Sequence, residues 1–424
     1  MKMLALYWSL LRYRVAVMIV LFMLLGAAWH RGLTAIDAPL ILTILALASS
    51  YVSATSVNDI SDREIDEINH PGDKGRPLVT GVARTTDLWV LFAVSSVLAV
   101  ALGLATGSGA AGIMLLSVVI GALYSLPPAM LSYRTFLAPL TLALAYVGIP
   151  YWAGVVVVGE SLLTSDLPLM MSLSLLFAGR IILKDFRDRE GDAAFGKPTF
   201  LLTYGKKATC LASLCALCAG DALLAASLAD RWWLAALLQL YLVSMAIMLY
   251  RLYGSSSRKD EQLSIGVGAK MGNGLLVTLL GALILSNQGA DWISQFIFGL
   301  ALTAIYVLNF VDFLRHPERA VVGYKDRVRF ETSLRTGTHL FACWRSDVGG
   351  PDLLVAPGRY DAGIYLRRPD HCLCPGPRSN ISLAPRVLRR CRGLRHVPAS
   401  SSRCCVRRTR PLYSLPLQAR GPGE

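Results

Sequence analysis

Charged residues are scarce in this sequence for its length. Asp, Glu, Lys and Arg make up 17% of the 424 residues, whereas hydrophobic residues make up 54% and the mean hydropathy is +0.50. A soluble domain of this size does not need so large an apolar fraction, so the composition excludes an ordinary soluble enzyme. It predicts a multi-span membrane protein.

The charge that is present lies mostly at one end of the chain. The net charge is +14, and residues 315–424 hold 21 basic and 8 acidic residues, so that segment alone carries +13. Residues 1–314 are therefore nearly neutral, and the basic character of the whole chain says little about them. We expect no nucleic acid among the partners of this protein.

Cysteine is too unevenly distributed for a disulfide framework. Cys210, Cys215 and Cys218 follow helical spacing within an apolar segment, where they are predicted to be small packing residues. The other six lie in residues 315–424 and match no zinc-ligand spacing. The N-terminal apolar run lacks a small-residue cleavage site, so it is predicted to be a retained first span.

Long apolar runs are abundant. A helix needs about 20 mostly apolar residues to cross a membrane. The predicted spans lie near residues 15–29, 38–57, 87–106, 109–126, 135–158, 167–183, 208–229, 232–251, 268–286 and 292–313. Because some are short or polar, nine spans fit as well as ten. The sequence therefore predicts an all-α, polytopic membrane helix bundle of nine or ten spans.

Basic residues are concentrated in alternate connections between the predicted spans. They lie before the first span and after the second, fourth, sixth and eighth spans. Because Lys and Arg are retained on the cytoplasmic side of a membrane, these connections are predicted to be cytoplasmic. An even number of spans also places the C-terminal tail there, and the expected location is the plasma membrane of the cell.

Two acidic segments follow even-numbered spans. Asn58–Asp66 and Asp185–Asp192 both contain Asp-x-x-Asp-Arg-Glu-x-Asp. Positions i, i+3 and i+7 of a helix share a face, so each segment is predicted to present three carboxylates together. These carboxylates are Asp59, Asp62, Asp66, Asp185, Asp188 and Asp192. Both segments fall on one side of the membrane, so we expect them at the cytoplasmic rim of one central cavity.

Carboxylates three and four residues apart repel one another, and a bound cation is a natural compensation. Oxygen ligands without His or Cys favour Mg²⁺, whose coordination is often completed by phosphate oxygens of a substrate. A diphosphate bridged to both segments through Mg²⁺ meets that requirement. The alternative is a pair of surface helix ends with weak ion pairs, such as Asp59 with Arg63. Two segments in the same register and at the same depth favour the shared site.

Basic residues accompany both acidic segments. Lys74 and Arg76 follow the first segment in a loop rich in Gly and Pro, and Lys184 and Lys197 flank the second. Arg binds diphosphate through paired N–H donors and Lys supplies a mobile charge. Arg76 and Lys197 are the stronger candidates. Tyr124 ends the fourth span, where it is either a hydrogen-bond donor to a phosphate or an ordinary interfacial tyrosine.

These residues resemble the UbiA superfamily of intramembrane aromatic prenyltransferases over about residues 10–313. The Asn-Asp-x-x-Asp-x-x-x-Asp pattern of that family matches Asn58–Asp66, and its Asp-x-x-Asp-x-x-x-Asp pattern matches Asp185–Asp192. The Arg-Pro pair at Arg76 is similar to the turn that follows the first of these patterns.

A further element is similar to the chlorophyll-synthase-like branch of this superfamily. Tyr124 and Ser125, followed by Pro127 and Pro128, match its Tyr-Ser-x-Pro-Pro element. Many members carry a Lys shortly afterwards, and in this chain only Arg134 offers a basic group there.

The resemblance implies Mg²⁺-dependent transfer of a prenyl group from a polyprenyl diphosphate to an aromatic or lipid-precursor acceptor inside the lipid bilayer. It also implies roles for individual residues. The implied metal ligands are Asp59, Asp62, Asp185 and Asp188, with Asn58 assisting. The implied diphosphate-binding residues are Arg76, Lys184, Lys197 and Arg134. The implied catalytic residues are Tyr124 as a hydrogen-bond donor and Asp66 and Asp192 as proton acceptors.

Other functions fit the same residues. A related enzyme on this scaffold would transfer a pentose phosphate to a polyprenyl phosphate, or would cyclise a terpene. A divalent-cation transporter is an alternative of a different class. A transporter would need polar groups that continue to the middle of the membrane, and Asp221 is the only acidic residue deep in a predicted span.

The sequence divides into two parts. Residues 1–314 are predicted to form the membrane domain, and residues 315–424 form a tail rich in Arg, Pro and Cys. The tail is predicted to be a disordered cytoplasmic extension, or the product of an altered reading frame in GC-rich DNA. Resequencing the 3′ end of the gene distinguishes the two.

Overall fold

The structure is a computed structural model that describes residues 2–30, 32–33, 35–255 and 257–316. These residues form helices joined by short connections, and no β-strand occurs among them. The predicted all-α fold is therefore confirmed. All but the first two residues of the C-terminal tail lie outside the described residues, so the division at residue 315 stays a prediction.

Fourteen α-helices make up the described part of the chain. They are α1 (Lys2–Leu10), α2 (Tyr13–Trp29), α3 (Ala38–Ser61), α4 (Arg63–Asn69), α5 (Thr85–Thr106), α6 (Ser108–Ser125), α7 (Leu137–Ala143), α8 (Ile149–Val157), α9 (Leu167–Ile181), α10 (Asp185–Ala194), α11 (Phe200–Ser227), α12 (Trp232–Gly254), α13 (Arg258–Asn287) and α14 (Trp292–Arg315). A π-helical turn, Leu144–Gly148, joins α7 to α8, and a 3-10 turn, Ile182–Lys184, joins α9 to α10.

Nine helical stretches in the described residues are long and apolar enough to cross a membrane. The pair α1 and α2 makes a tenth if it is counted as one bent span, because its two helices meet at 66°. Arg12 lies in this bend with a φ of 41°, in the left-handed region. The prediction of nine or ten spans is confirmed, and the bend explains why the count depends on the N-terminus.

Two glycines bring α2 and α8 into backbone contact. A Cβ atom at Gly154 would lie 1.8 Å from the carbonyl oxygen of Met23, and one at Gly26 would lie 2.1 Å from that of Tyr151. Small residues at such contacts are the usual means of close helix packing in membranes. The contact fixes the position of α2, which carries Arg12 just before its first residue.

Hydroxyl groups attach α3 to its neighbours. The Ser53 hydroxyl lies 2.7 Å from that of Ser96 on α5, and the Ser50 hydroxyl donates to that of Ser117 on α6 at 2.7 Å. Hydrogen bonds of this kind between membrane helices are worth on the order of 1 kcal/mol each. They hold α3, whose last turn begins the first acidic segment.

The cysteines of α11 do not share one environment. Cys210 is buried, whereas Cys215 and Cys218 are exposed on the helix surface. The predicted packing role therefore holds for Cys210 alone.

Candidate active site

The first acidic segment crosses a break between two helices. α3 ends at Ser61 and α4 begins at Arg63, with Asp62 between them at φ −95° and ψ 12°. The backbone N–H of Asp66 still donates to the carbonyl oxygen of Asp62 at 2.8 Å, so the spacing stays close to helical. The second acidic segment lies on the single helix α10.

Two arginines hold the first acidic segment. Arg76 Nη1 lies 2.6 Å from Asp59 Oδ1 and 2.6 Å from Asp66 Oδ2. Arg12 Nη2 donates to the same Oδ1 of Asp59 at 2.6 Å. Asp59 and Asp66 are buried, and Arg76 is 12% exposed, so these charges compensate one another away from bulk water.

The third carboxylate of this segment contacts residues from both halves of the chain. Asn58 donates to Asp62 Oδ2 at 3.0 Å, and Lys197 Nζ donates to the same oxygen at 3.1 Å. Lys197 also lies 5.5 Å from the centre of the Tyr133 ring. The ion pair with Lys197 joins the first acidic segment to the loop after the second.

The aspartates of the second acidic segment form fewer ion pairs with described residues than those of the first. Asp188 Oδ1 lies 2.7 Å from Arg187 Nε and 3.2 Å from His70 Nε2. Asp185 and Asp192 are buried, and neither forms an ion pair shorter than 4.0 Å with another described residue. Lys184 and Lys197 act on these two carboxylates only over longer distances.

A tight helix contact joins the two segments. The backbone N–H of Gly191 donates to Asn69 Oδ1 at 2.7 Å. A Cβ atom at Gly191 would lie 2.6 Å from both Asn69 Nδ2 and the carbonyl oxygen of Ile65, so only glycine fits here. This contact packs α10 against α4 and brings the two segments together.

The segments face one cavity of about 340 Å³, which is in the size range of ligand pockets. The predicted site residues that line it are Asn58, Asp62, Asp66, Arg76, Tyr124, Lys184, Asp185, Asp188, Asp192 and Lys197. Its deeper wall is apolar and includes Ile120, Leu142 and Ile181. Tyr51 and Tyr146 also line the cavity, and their rings meet edge to face with centroids 5.9 Å apart.

Two predicted site residues do not line this cavity. Asp59 lies behind Arg12 and Arg76, which occupy its Oδ1 atom. Arg134 is exposed and does not line the cavity, while Lys197 packs on the ring of the neighbouring Tyr133.

Three further residues of the candidate site could not be recognised from the sequence. Arg12 precedes the first predicted span, and its place in the sequence does not show that it contacts Asp59. His70 and Asn69 lie beside the first acidic segment, but nothing local shows that they contact Asp188 and Gly191.

Burial and neighbouring charges shift the protonation of groups at the rim. Burial raises the pKa of Asp66 to about 7, although the charge of Arg76 opposes the shift. Burial also lowers the pKa of His70, which favours the neutral ring. For Lys197, burial is the largest single influence and lowers the pKa, but Asp62, Tyr124 and Asp192 raise it, and the net shift is upward.

The carboxylate oxygens of the acidic segments are the type of ligand atom that a divalent cation prefers. Asp59 Oδ2 and Asp62 Oδ1 are buried without a hydrogen-bond partner, and a cation is a suitable partner for such oxygens. In the described part of the chain, no three His, Cys, Asp or Glu side chains lie together as a complete ligand set. A cation held here would therefore share its coordination with water or a ligand.

The sequence profile of the UbiA prenyltransferase family matches residues 17–274. A chloroplastic chlorophyll synthase of Oryza sativa subsp. japonica is 32% identical over 158 residues, which cover 35% of this chain and 41% of that protein. A digeranylgeranylglyceryl phosphate synthase of Methanoregula boonei is 30% identical over 213 residues, which cover 48% of this chain and 73% of that protein.

A solved structure of a UbiA homologue from Archaeoglobus fulgidus bound to GPP and Mg²⁺ superposes with a TM-score of 0.45. The two chains are 19% identical, and the superposition covers 70% of this chain and 99% of the other. The matched region spans about two fifths of the length of the plant relatives. The extent of the profile match shows that this multi-pass membrane protein belongs to the UbiA prenyltransferase family.

Proposed function

We propose that this protein transfers a prenyl group from a polyprenyl diphosphate to an acceptor within the membrane. The observation that carries the proposal is the single cavity in which two acidic segments and several cations meet above an apolar wall. A diphosphate fits the polar rim and an isoprenoid chain fits the apolar wall. Membership of the prenyltransferase family supports the same reaction.

Mg²⁺ is the proposed cofactor. Asp62, Asp185 and Asp188 would hold it from the cavity wall with Asn58 assisting. Asp59 has an unpartnered Oδ2 but lies behind Arg12 and Arg76, so it would join them only if one of these arginines moved away. When bound, the cation supplies Lewis-acid stabilisation of the negative charge on the departing diphosphate.

Side chains of the protein bind the remaining charge of the diphosphate. Four basic residues line the cavity, namely Arg12, Arg76, Lys184 and Lys197. Arginine suits paired phosphate oxygens, and the O–H of Tyr124 can donate to another. Donors that are fixed before the reaction stabilise the diphosphate as the allylic C–O bond breaks. Arg134 would take part only if its exposed side chain turned inwards.

The cavity then has to protect an allylic cation and accept a proton. The rings of Tyr51 and Tyr146 present aromatic faces that can stabilise a cation, and the apolar wall excludes water. Asp66 or Asp192 is the proposed acceptor of the proton that the attacking nucleophile releases. The raised pKa of Asp66, about 7, suits a group that gains and loses a proton near neutral pH.

The rim of the cavity is proposed to face the cytoplasm, because the connections that carry the acidic segments are the basic ones. The plasma membrane is the proposed location. The acceptor is proposed to be an aromatic or lipid-precursor molecule, in keeping with relatives that are named a chlorophyll synthase and a digeranylgeranylglyceryl phosphate synthase.

The transporter hypothesis is the weaker alternative. Asp221, the acidic residue deep in α11, accepts a hydrogen bond from Gln239 Nε2 on α12 at 2.7 Å and does not line the cavity. It therefore ties two helices together and does not extend an ion path. Pentose-phosphate transfer to a polyprenyl phosphate, or cyclisation of a terpene, would use the same cavity for a different reaction of the polyprenyl substrate.

The test uses the purified full-length protein with radiolabelled geranylgeranyl diphosphate and a panel of aromatic, glycerol-phosphate and quinone-precursor acceptors. We expect a lipid-soluble product that forms with Mg²⁺, is abolished by EDTA, and is lost in Asp62→Ala and in Asp188→Ala. Glu64→Gln is the matched control, because Glu64 is exposed on the same helix as Asp66. Binding without turnover on any acceptor would favour a related transferase, and no binding to the folded protein would refute the proposal.

A further inference from the structure

Two residues at the end of α4 contact the second acidic segment. Asn69 is the last residue of α4, and His70 follows it directly. Asn69 Oδ1 accepts a hydrogen bond from the backbone N–H of Gly191, and His70 Nε2 lies 3.2 Å from Asp188 Oδ1. Asn69 therefore fixes the helix that carries the second segment, whereas His70 acts directly on one of its carboxylates.

The backbone of His70 is held on both sides. Its N–H donates to the carbonyl oxygen of Asp66 at 2.8 Å, and its carbonyl oxygen accepts from the N–H of Asp73 at 3.2 Å. The chain turns back at Gly72, whose φ of 74° lies in the left-handed region that favours glycine. Asp73 Oδ1 then accepts from the N–H of Gly75 at 2.8 Å. This turn fixes the point from which the imidazole reaches the cavity.

The imidazole of His70 is enclosed as well. The side chain is 11% exposed and lines the main cavity. When the hydrogen is on Nε2, the ring donates to the carboxylate of Asp188, and 3.2 Å is at the upper end of the range for such a hydrogen bond. A donor whose backbone and ring are both confined loses little entropy in keeping one orientation.

Asp188 has a second partner of a different kind. Arg187 Nε donates to Asp188 Oδ1 at 2.7 Å, and Arg187 Nη2 donates to Oδ2 at 3.2 Å. Because Arg187 is the preceding residue of α10, it moves with the second segment and cannot fix Asp188 relative to the first. His70 follows the first segment by four residues, so its contact sets the position of Asp188 across the cavity.

A fixed separation between the two segments matters for a shared cation. Mg²⁺ requires near-ideal octahedral geometry, so carboxylates from two helices must keep their relative positions to bind it together. Groups that hydrogen-bond to a metal-binding side chain set its orientation, and their loss typically weakens metal binding. Among the three aspartates of the second segment, Asp188 is the one that such a group reaches from the end of α4.

We propose that His70 is a positioning residue for Asp188. It holds this carboxylate towards the cavity, at a fixed distance from the carboxylates of the first acidic segment, so that a divalent cation binds between the two segments. His70 acts through Asp188 and does not bind the cation itself. This inference rests on the proposed metal site and assigns to it a residue that comes from neither acidic segment.

The test measures the binding of Mn²⁺, a paramagnetic substitute for Mg²⁺, to the full-length protein in lipid nanodiscs. The electron paramagnetic resonance signal of free Mn²⁺ gives the Kd without any turnover. His70→Leu removes the N–H donor, and His70→Gln supplies an amide N–H at a similar reach. Glu67→Gln is the control, because Glu67 is exposed on α4 and does not line the cavity.

We expect the Kd for Mn²⁺ to rise by about 10- to 100-fold in His70→Leu, the usual effect of losing the partner of a metal-binding group. His70→Gln should recover most of the affinity, and Glu67→Gln should match the wild type. The Mg²⁺ concentration for half-maximal turnover should rise in parallel, while the KM for geranylgeranyl diphosphate at saturating Mg²⁺ stays unchanged. Equal Kd values for His70→Leu and wild type, or equal losses in His70→Leu and His70→Gln, would overturn the proposal.

A double variant shows whether His70 acts through Asp188. Asp188→Asn alone should weaken Mn²⁺ binding, and adding His70→Leu should weaken it little further. Additive losses would overturn the proposal. Thermal unfolding confirms that each variant is folded, and His70→Asn, whose amide is too short to reach Asp188, replaces His70→Leu if that variant does not fold.

The same measurement separates this inference from the proposed reaction. A wild type that binds Mn²⁺ but forms no prenylated product would refute the reaction, and the Kd values would still test His70. A wild type that binds no Mn²⁺, with or without geranylgeranyl thiodiphosphate, would refute the metal site and this inference together.

Discussion

The two acidic segments share one sequence pattern but not one environment. In the first, Asp59 and Asp66 are held by Arg12 and Arg76, and Asp62 is held by Lys197. Of the three aspartates in the second, only Asp188 has ion-pair partners among the described residues, and they are its neighbour Arg187 and His70. Equal spacing along a helix therefore does not give equal charge compensation.

The difference indicates that the two segments depend differently on a bound cation for charge compensation. The three aspartates of the first segment are paired with basic residues of the protein, and two of them, Asp62 and Asp66, line the cavity. Asp185 and Asp192 lack direct ion pairs in the described structure. A bound cation, or a lysine that moved closer, would therefore stabilise the carboxylates of the second segment more than those of the first. Variants that act on one segment at a time test this comparison.

Arg76→Gln is predicted to have the largest effect on stability. It leaves Asp59 and Asp66 buried without this shared partner, which should cost about 3–5 kcal/mol in the free energy of unfolding. The matched change in the second segment, Arg187→Gln, should cost about 1 kcal/mol or less, because Arg187 is 27% exposed and His70 still contacts Asp188. Equilibrium unfolding of the ligand-free proteins measures both, and equal losses would contradict the comparison.

Gly191→Ala is predicted to lower the stability by an intermediate amount. The added methyl group meets Asn69 and the carbonyl oxygen of Ile65 at 2.6 Å, so α10 must move away from α4 at a cost of about 1–3 kcal/mol. Because this contact joins the two segments, turnover should fall as well. Gly112→Ala is the control, because a Cβ there has no neighbour within 4 Å. If both variants behave alike, Gly191 does not join the segments.

Asp185→Asn is predicted to change the stability least of these variants, and to raise it. Asp185 is 7% exposed and has no direct ion pair among the described residues, so removing its charge should stabilise the ligand-free protein by about 1 kcal/mol while turnover is lost. Glu64→Gln should change neither quantity. A loss of stability in Asp185→Asn would show that the second segment is as fully compensated as the first.

Much of the fold could be predicted from the sequence, because a membrane restricts the options. Apolar runs of spanning length had to be helices, and the repeated acidic pattern marked the site. Arg76, Lys184, Lys197 and Tyr124 line one cavity with three aspartates of the second acidic segment. Their assigned roles in binding and catalysis stay predictions.

Other features of the site depend on contacts between distant parts of the chain. The bend that turns Arg12 towards Asp59 and the packing of Gly191 on Asn69 are set by tertiary packing. The position of Asp59 behind two arginines could not be predicted for the same reason. Helical spacing shows which face a residue is on, but not which side chains from elsewhere in the chain cover it. Arg134 was chosen by its place in the sequence, and its side chain is exposed.

We propose that both acidic segments form one binding site for a metal and a diphosphate. Equilibrium binding of labelled geranylgeranyl thiodiphosphate, with Mg²⁺ or EDTA, tests it without knowledge of the acceptor. The wild type should bind tightly only with Mg²⁺, and Asp62→Ala and Asp188→Ala should each weaken binding by at least about 10-fold, with a double variant scarcely worse than either. Independent, additive losses, or a segment whose change has no effect, would contradict the claim.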